Sequence, residues 1–381
     1  MAGVELVGVT GTNGKTSVVS YAQQILTSVG HPAASYGSLG VVTPSGHDPE
    51  PDLPPDGQTI PTLMEHVSAQ VQTLVFEATS FALARGVLDR LRVRTAVFTN
   101  LSQDHLDVHG GSMSVYLGAK SRLFIDLLPP GATAILGDDE ASGALADFLD
   151  DRPVRVRRVG SGGDLVLSRR EPVSRMKSVL HLRLEGRPFE VEVPCSADFQ
   201  AANLLFAIGI ALDLGIDSDA VVSVLPKVEH PPGRFEDVGV IDGVRIIVDY
   251  AHNPHSLATV LRAARSLSCE RVGVVFGCGG DRDRAKRHPM GAIASELADV
   301  VVVTDDNARS EDPAEIRRAI VRACPEAQEV ADRREAIRAA LPCLGEGDVL
   351  VVAGRGDERY QEIAGTRVES SDLDLVRELL G

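Results

Sequence analysis

The stretch that most constrains the fold lies within the first thirty residues. Val4 to Val9 is a short apolar run, Thr10-Gly11-Thr12-Asn13-Gly14-Lys15-Thr16 follows it, and Ser17 to Val29 has helical spacing. A strand, a glycine-rich turn carrying Lys-Thr, and a helix form the layout of a phosphate-binding loop. Gly11 and Gly14 let the backbone turn tightly and aim several N–H groups at an anion. The helix that follows begins with N–H groups free to bind and a partial positive charge. Lys15 can reach terminal phosphates, and the Thr16 hydroxyl can bind Mg²⁺. The generic spacing asks for glycine at position 9, where this chain has Val9 with glycines at 8 and 11. The competing reading is a plain glycine turn. Agreement between strand, turn, Lys-Thr and helix favours the anion loop.

Composition narrows the partners. A formal charge of −16 argues against nucleic acid or an anionic membrane as the main partner, while leaving room for a nucleotide in a local basic pocket. The absence of Trp makes base-stacking platforms a poor expectation. Cys195, Cys269, Cys278, Cys324 and Cys343 are scattered without a C-x-x-C pair, as in reduced cytosolic proteins. Met1 leads almost directly into the first strand, and no apolar run is long enough for a bilayer, so the expected location is cytoplasmic. The 381 residues suffice for two or three domains with real cores.

Further along, Pro44 to Pro61 reads as a surface loop and Thr62 to Ala69 as a helix. Thr73 to Glu77 is a buried-strand pattern ending in an acid, which makes Glu77 either a Mg²⁺ ligand beside the loop or an ordinary strand-end carboxylate. Arg94 to Thr99 is the next strand. It runs into Asn100-Leu101-Ser102-Gln103-Asp104-His105-Leu106-Asp107-Val108-His109, which reads as a metal-capable cluster or a solvated loop. Lys120 lies in a helical stretch, and composition alone reads it as a surface lysine. From Val154 to Val193 the alternation predicts antiparallel strands at the sheet edge, and Phe199 to Leu214 predicts a helix stopped by Gly215.

In order, Gly11-Thr12-Asn13-Gly14-Lys15-Thr16, Glu77-Ala78-Thr79-Ser80, Thr99-Asn100-Leu101 with Asp104-His105-Leu106-Asp107, and Ala119-Lys120 resemble the Mur ligase family of ATP-dependent amide ligases. The chain is most similar to the MurE type, which adds the third amino acid of the peptidoglycan peptide. The resemblance implies an α/β fold: a central P-loop ATPase domain with a parallel sheet, then a C-terminal Rossmann-like α/β domain. It implies that the loop amides and Lys15 hold the β- and γ-phosphates of ATP, and that Thr16 and Glu77 hold one Mg²⁺. His105 and an N-carboxylated Lys120 would serve a second. Asn100 would contact the nucleotide and Asn203 the adenine, with Gln200 where the family has another asparagine.

The second half begins at His230-Pro231-Pro232-Gly233-Arg234, whose prolines and glycine read as a hinge. The expected domains are therefore 1–232 and 233–381. Strands at 271–276, 300–304 and 349–353 alternate with helices, as in a parallel sheet with crossovers. The loops after these strands hold Arg282, Asn307, Arg309, Gly354 and Glu358, either a ligand site or three solvated loops. By resemblance these five clamp the incoming amino acid. Arg234 would touch nucleotide phosphate and Asp249 the ribose, unless the two form a hinge ion pair. Asp306-Asn307-Ala308-Arg309 lacks the family's proline, which predicts a looser loop and leaves the amino acid open between diaminopimelate and another with an extra carboxylate or polar end.

The region expected to take the acceptor departs further. Gln58-Thr59-Ile60-Pro61, Thr79-Ser80-Phe81 and Val87 with nearby Arg85 stand where the family has other residues. Family members also carry an N-terminal domain for the UDP-sugar before this loop. The expectation is thus a ligase lacking that domain, joining an amino acid to a carboxylate acceptor other than the standard UDP-muropeptide. Its partners would be those two small molecules, ATP and Mg²⁺, with the oligomeric state open between monomer and homodimer. The rivals are a folylpolyglutamate-synthase-like ligase and a nucleotide-binding partner subunit without ligase activity.

Overall fold

The computed structural model describes residues 3–49, 51, 59–67, 70–268 and 270–380. Gln58, Cys269, part of the expected 44–61 loop and the end of the expected Thr62–Ala69 helix lie outside them. The chain divides into two compact units. One comprises residues 1–102 and 112–231; the other comprises 103–111 and 232–381. The short segment 103–111, expected in the first domain, packs with the second unit.

In the first unit the described strands are β1 (Glu5–Thr10), β2 (Ala33–Gly37), β3 (Gly40–Thr43), β4 (Gly46–Asp48), β5 (Thr73–Glu77), β6 (Thr95–Phe98), β7 (Thr133–Leu136) and β8 (Arg155–Arg158), joined in one sheet in the order β4-β3-β2-β5-β1-β6-β7-β8. β1 runs parallel between β5 and β6, with Val9 opposite Glu77 and Thr10 opposite Phe98. The P-loop, Glu77 and Thr99 therefore emerge from one sheet edge, the carboxyl edge where open α/β sheets bind ligands.

One face is covered by α1 (Lys15–Ser28), which packs with Val7, Val9 and Val75 of the sheet in a single apolar core. The other face carries α2 (Thr59–Val67), α3 (Ser80–Ala84), α4 (Met113–Ile125) and α5 (Glu140–Leu149) around Leu74, Phe76 and Phe98. The expected edge strands are placed differently. β9 (Leu165–Pro172), β10 (Ser178–Leu184) and β11 (Arg187–Val193) form their own antiparallel sheet, and only β8 joins the main one. Leu165, Leu180, Leu182, Leu184 and Val193 alternate inward against α6 (Asp198–Asp213), which gives these strands a core to cover. Gly215 stops that region in the left-handed conformation (φ +85°), and α7 (Ser218–Val224) follows.

The second unit holds β12 (Glu236–Ile241), β13 (Val244–Asp249), β14 (Val272–Phe276), β15 (Val300–Val303), β16 (Gln328–Glu329) and β17 (Val349–Ala353), ordered β12-β13-β17-β14-β15-β16. β12 and β13 pair through the Asp242-Gly243 turn; the other pairs are parallel. Helices α8 (Pro254–Leu267), α9 (Arg287–Leu297), α10 (Pro313–Val321) and α11 (Arg333–Ala340) make the crossovers. The hairpin β18 (Tyr360–Ile363) and β19 (Thr366–Glu369) and the last helix α12 (Asp372–Leu380) complete it. Among the described residues no helix is long and apolar enough to cross a membrane.

Candidate functional site

The loop between β1 and α1 is held open by its neighbours. Gly11 (φ +141°) and Gly14 (φ +88°) adopt backbone that a side chain disfavours, and a β carbon on them would run into Thr99 and Asn203 respectively. Asn100 fastens the loop from the side. Its Nδ2 donates to Asn13 O (3.1 Å) and its Oδ1 accepts from Asn13 N (3.0 Å). Thr12 Oγ1 donates to Ser102 O (3.1 Å) and accepts from Ser102 N (3.0 Å). Lys15 Nζ spans the loop and donates to Gly11 O (3.0 Å) and Thr12 O (2.8 Å). Asn100 thus shapes the loop, while Asn203 of α6 closes against Gly14. Gln200 caps α6, its Oε1 accepting from Ser196 N (3.0 Å) and Ala197 N (3.1 Å).

Thr16 Oγ1 donates to Glu77 Oε1 (3.0 Å), and Ser38 orients that carboxylate through its N (2.8 Å) and Oγ (3.3 Å). A β carbon at Gly37 would collide with Glu77, so the glycine leaves room for the carboxylate. A hydroxyl and a carboxylate oxygen beside a phosphate loop are donors that suit Mg²⁺. The contact of Ser38 with Glu77 was not read from sequence; nothing in its glycine-rich surroundings marks it.

Lys120 is a correction to composition. It is 1% exposed on the face of α4 that buries Tyr116, Leu123 and Phe124. Its Nζ donates to Gly11 O (2.6 Å) and sits 4.4 Å from the Tyr116 ring centroid. Beyond Glu77 opens a cavity of about 590 Å³, lined by residues such as Tyr36, Ser38, Ile60, Thr79, Val87 and Leu88.

His105 lies in the second unit. Asp104 is 3% exposed there; its Oδ2 lies 3.3 Å from His252 Nε2 and 3.6 Å from His105 Nε2, and accepts from Asn253 Nδ2 (3.2 Å). Burial pushes the Asp104 carboxyl up, but the hydrogen bond from His252 and the charges of His252, His105 and Lys286 hold it well below the usual carboxylate range. The ligand atoms of Asp104, His105 and His252 lie within 4.8 Å of one another, a grouping able to hold a metal ion. The sequence reading singled out His105 and missed His252 and Asn253, which stand at the start of α8.

Arg234 Nη1 donates to Asp357 Oδ1 (2.6 Å), and its guanidinium stacks 4.2 Å from the Tyr250 ring centroid. Asp249 accepts from Phe235 N (2.7 Å) and Ala251 N (2.7 Å). Burial pushes its carboxyl up to about 6 against the pull of Arg234.

Nearby, the loops after β14, β15 and β17 come together. Asn307 Nδ2 donates to Glu358 Oε2 (2.7 Å), and Arg309 Nη1 donates to Gly280 O (2.8 Å). Asp281 Oδ1 and Oδ2 accept from Ser310 Oγ (2.8 Å) and N (3.0 Å). Arg282 is exposed and donates to Asp281 O (3.2 Å). Gly354 (φ +115°) passes close to the Asp306 carboxylate. Burial and Asp306 push the Glu358 carboxyl up, and the Asn307 amide opposes them. Cations, an amide and a carboxylate in one place suit a ligand that carries both charges.

Comparison with known proteins bears on the family of the chain. The Mur ligase middle domain matches residues 9–211, and the Mur ligase glutamate ligase domain matches 233–356. The UDP-N-acetylmuramoyl-L-alanyl-D-glutamate–2,6-diaminopimelate ligase of Chelativorans sp. is 44% identical over 98% of this chain and 78% of its own length. Its counterpart from Brucella melitensis is 42% identical over 96% and 76%. A solved structure of a ligase of that name superposes with a TM-score of 0.67 at 30% identity, covering 99% of this chain and 78% of its own. Folylpolyglutamate synthase of Mycobacterium tuberculosis, solved with ADP and AMPPCP, reaches 0.75 at 20% identity over 93% and 89%, a likeness of fold alone. The expectation of a ligase without a leading domain, serving an unusual acceptor, gets no support from these relatives. The chain belongs to the Mur ligase family, ATP-dependent ligases that join an acid to an amino acid.

Proposed function

We propose that this chain joins 2,6-diaminopimelate to the carboxylate of UDP-N-acetylmuramoyl-L-alanyl-D-glutamate, cleaving ATP to ADP and phosphate. The support that carries the reading is the Asn307–Arg309–Glu358 grouping. It offers a guanidinium for a second carboxylate and a carboxylate for a second ammonium, which only a doubly zwitterionic amino acid would use together. Relatives whose names contain these two substrates are 44% and 42% identical to this chain over the aligned residues.

In this reading the β- and γ-phosphates lie on the amides of residues 11–16 with Lys15 beside them. The acceptor occupies the cavity beyond Glu77. Its carboxylate oxygen attacks the γ-phosphorus, the bond to the β,γ-bridging oxygen breaks, and ADP leaves. Lys15 stabilises the charge that builds on the transferred group. Mg²⁺, when bound on Thr16 and Glu77, supplies further neutralisation. The neutral amine then attacks the acyl carbon, loses a proton and expels phosphate. Lys120, carboxylated on Nζ, would keep one N–H for Gly11 O and present an anionic oxygen pair for a second cation.

The test is phosphate release from ATP and Mg²⁺ across a panel of amino acids, with and without the UDP-muramoyl dipeptide. Release that requires both the dipeptide and diaminopimelate is the expected result. Amino-acid-dependent release without any response to the dipeptide would overturn the acceptor, and release with no amide product would overturn ligation.

A further inference from the structure

The loop after β15 is fastened along its length to the β18–β19 hairpin. Gln361 Nε2 donates to Asp306 O (2.9 Å), and Glu362 N donates to Asn307 Oδ1 (2.8 Å). Arg309 N donates to Glu362 O (2.9 Å), and Ala364 N donates to Arg309 O (2.7 Å). The Glu362 carboxylate lies 3.5 Å from Arg309 Nε. Arg309 itself sits at φ +52°, backbone that a β carbon disfavours and that persists only where the surroundings fix it. A proline at position 308 would stiffen this loop through its own ring. With Ala308 there, the stiffness comes from the hairpin instead.

We propose that the hairpin Tyr360–Glu369 is a working part of the amino-acid site, with Gln361 and Glu362 as positioning residues that hold Asn307 and Arg309 ready for the distal carboxylate of the amine substrate. The proposal rests on the reading of this loop as the amino-acid site. Gln361 holds the main chain before Asn307. The Glu362 backbone fixes both the Asn307 amide and the Arg309 main chain, and its carboxylate occupies the Nε side of the guanidinium. Arg309 Nη1 is turned to Gly280 O (2.8 Å) and Asn307 O (3.4 Å). That leaves Nη2 as the nitrogen offered to a ligand. Order set in advance by the hairpin is order that binding does not have to create.

The test is steady-state kinetics of the full chain carrying Gln361→Ala or Glu362→Gln, with Arg309→Ala as reference. Each hairpin variant should raise the KM for diaminopimelate roughly fivefold, while kcat and the KM for ATP stay within about twofold. The preference for diaminopimelate over lysine, which has the second ammonium without the second carboxylate, should narrow. Glu362→Gln keeps every backbone bond of the hairpin, so its result does not depend on folding. Unchanged KM in both variants overturns the proposal if Arg309→Ala still raises it. A lowered KM in Glu362→Gln overturns it too, since Glu362 would then be competing with the substrate carboxylate. If Arg309→Ala also leaves KM unchanged, the underlying reading of the amino-acid site falls with it.

Discussion

At the scale of single residues, Lys120 shows how burial changes meaning. An ammonium with 1% exposure donates to the Gly11 carbonyl and lies over the Tyr116 ring. Carboxylation would remove that charge from nitrogen and place an anion beside the phosphate loop. Lys120→Ala should therefore lower phosphate release by roughly a hundredfold. Acetate at high concentration should restore part of the loss, while the circular dichroism spectrum stays that of the parent. Full activity in the variant would make Lys120 a packing residue. Its inward direction was hidden from sequence because a lysine in a helical stretch gives no sign of which face it takes. The positions of Asn100 and Glu77 were legible for the opposite reason: Glu77 ends β5 and Asn100 comes just after β6, and each strand's apolar run fixes where it ends.

Among elements, α1 does more than present its first turn. Tyr21 OH lies 2.6 Å from His230 Nδ1, which ties α1 to the last residues of the first unit. Burial pushes the Tyr21 phenol up, so the phenol donates and the imidazole accepts at Nδ1. Burial also lowers His230 to about 4. The folded state thus disfavours the charged ring, and this stabilisation is complete above the unfolded value near 6.5 and lost as pH falls from there toward 4. The loss amounts to about 3 kcal/mol. His230→Gln, which can still accept from Tyr21, should flatten that decline: urea midpoints of variant and parent should converge or cross between pH 7 and 4. Parallel slopes would refute the neutral, buried imidazole. The alternating strands of this unit were legible, yet β9, β10 and β11 form a separate sheet because alternation fixes a strand's faces without naming its neighbours. The β18–β19 hairpin and α12 went unread, since four-residue strands and one short amphipathic helix carry little periodic signal.

Across the whole molecule, sequence order and physical membership part company at one place. The units divide between Pro231 and Pro232, where proline and glycine cluster, whereas the excursion of 103–111 into the second unit carries no such punctuation. It is written in pair contacts that the sequence separates by about 150 positions, chiefly Asp104 with His252 and Asn253. Asp104 stabilises as an anion: the contribution is present above the ordinary carboxylate range and lost as pH falls through its lowered folded value. Asp104→Ala would leave a histidine and an amide facing an unfilled polar space, at a cost of about 3 kcal/mol. Because the partners belong to the second unit, that cost should fall there although residue 104 lies in the first third of the chain. Hydrogen exchange read peptide by peptide tests this. In the variant, amides of 103–111 and of α8 should lose protection, and those of β1 and α1 should keep theirs. Equal loss in α1, or unchanged protection at the start of α8, would mean that the segment does not belong to the second unit in solution.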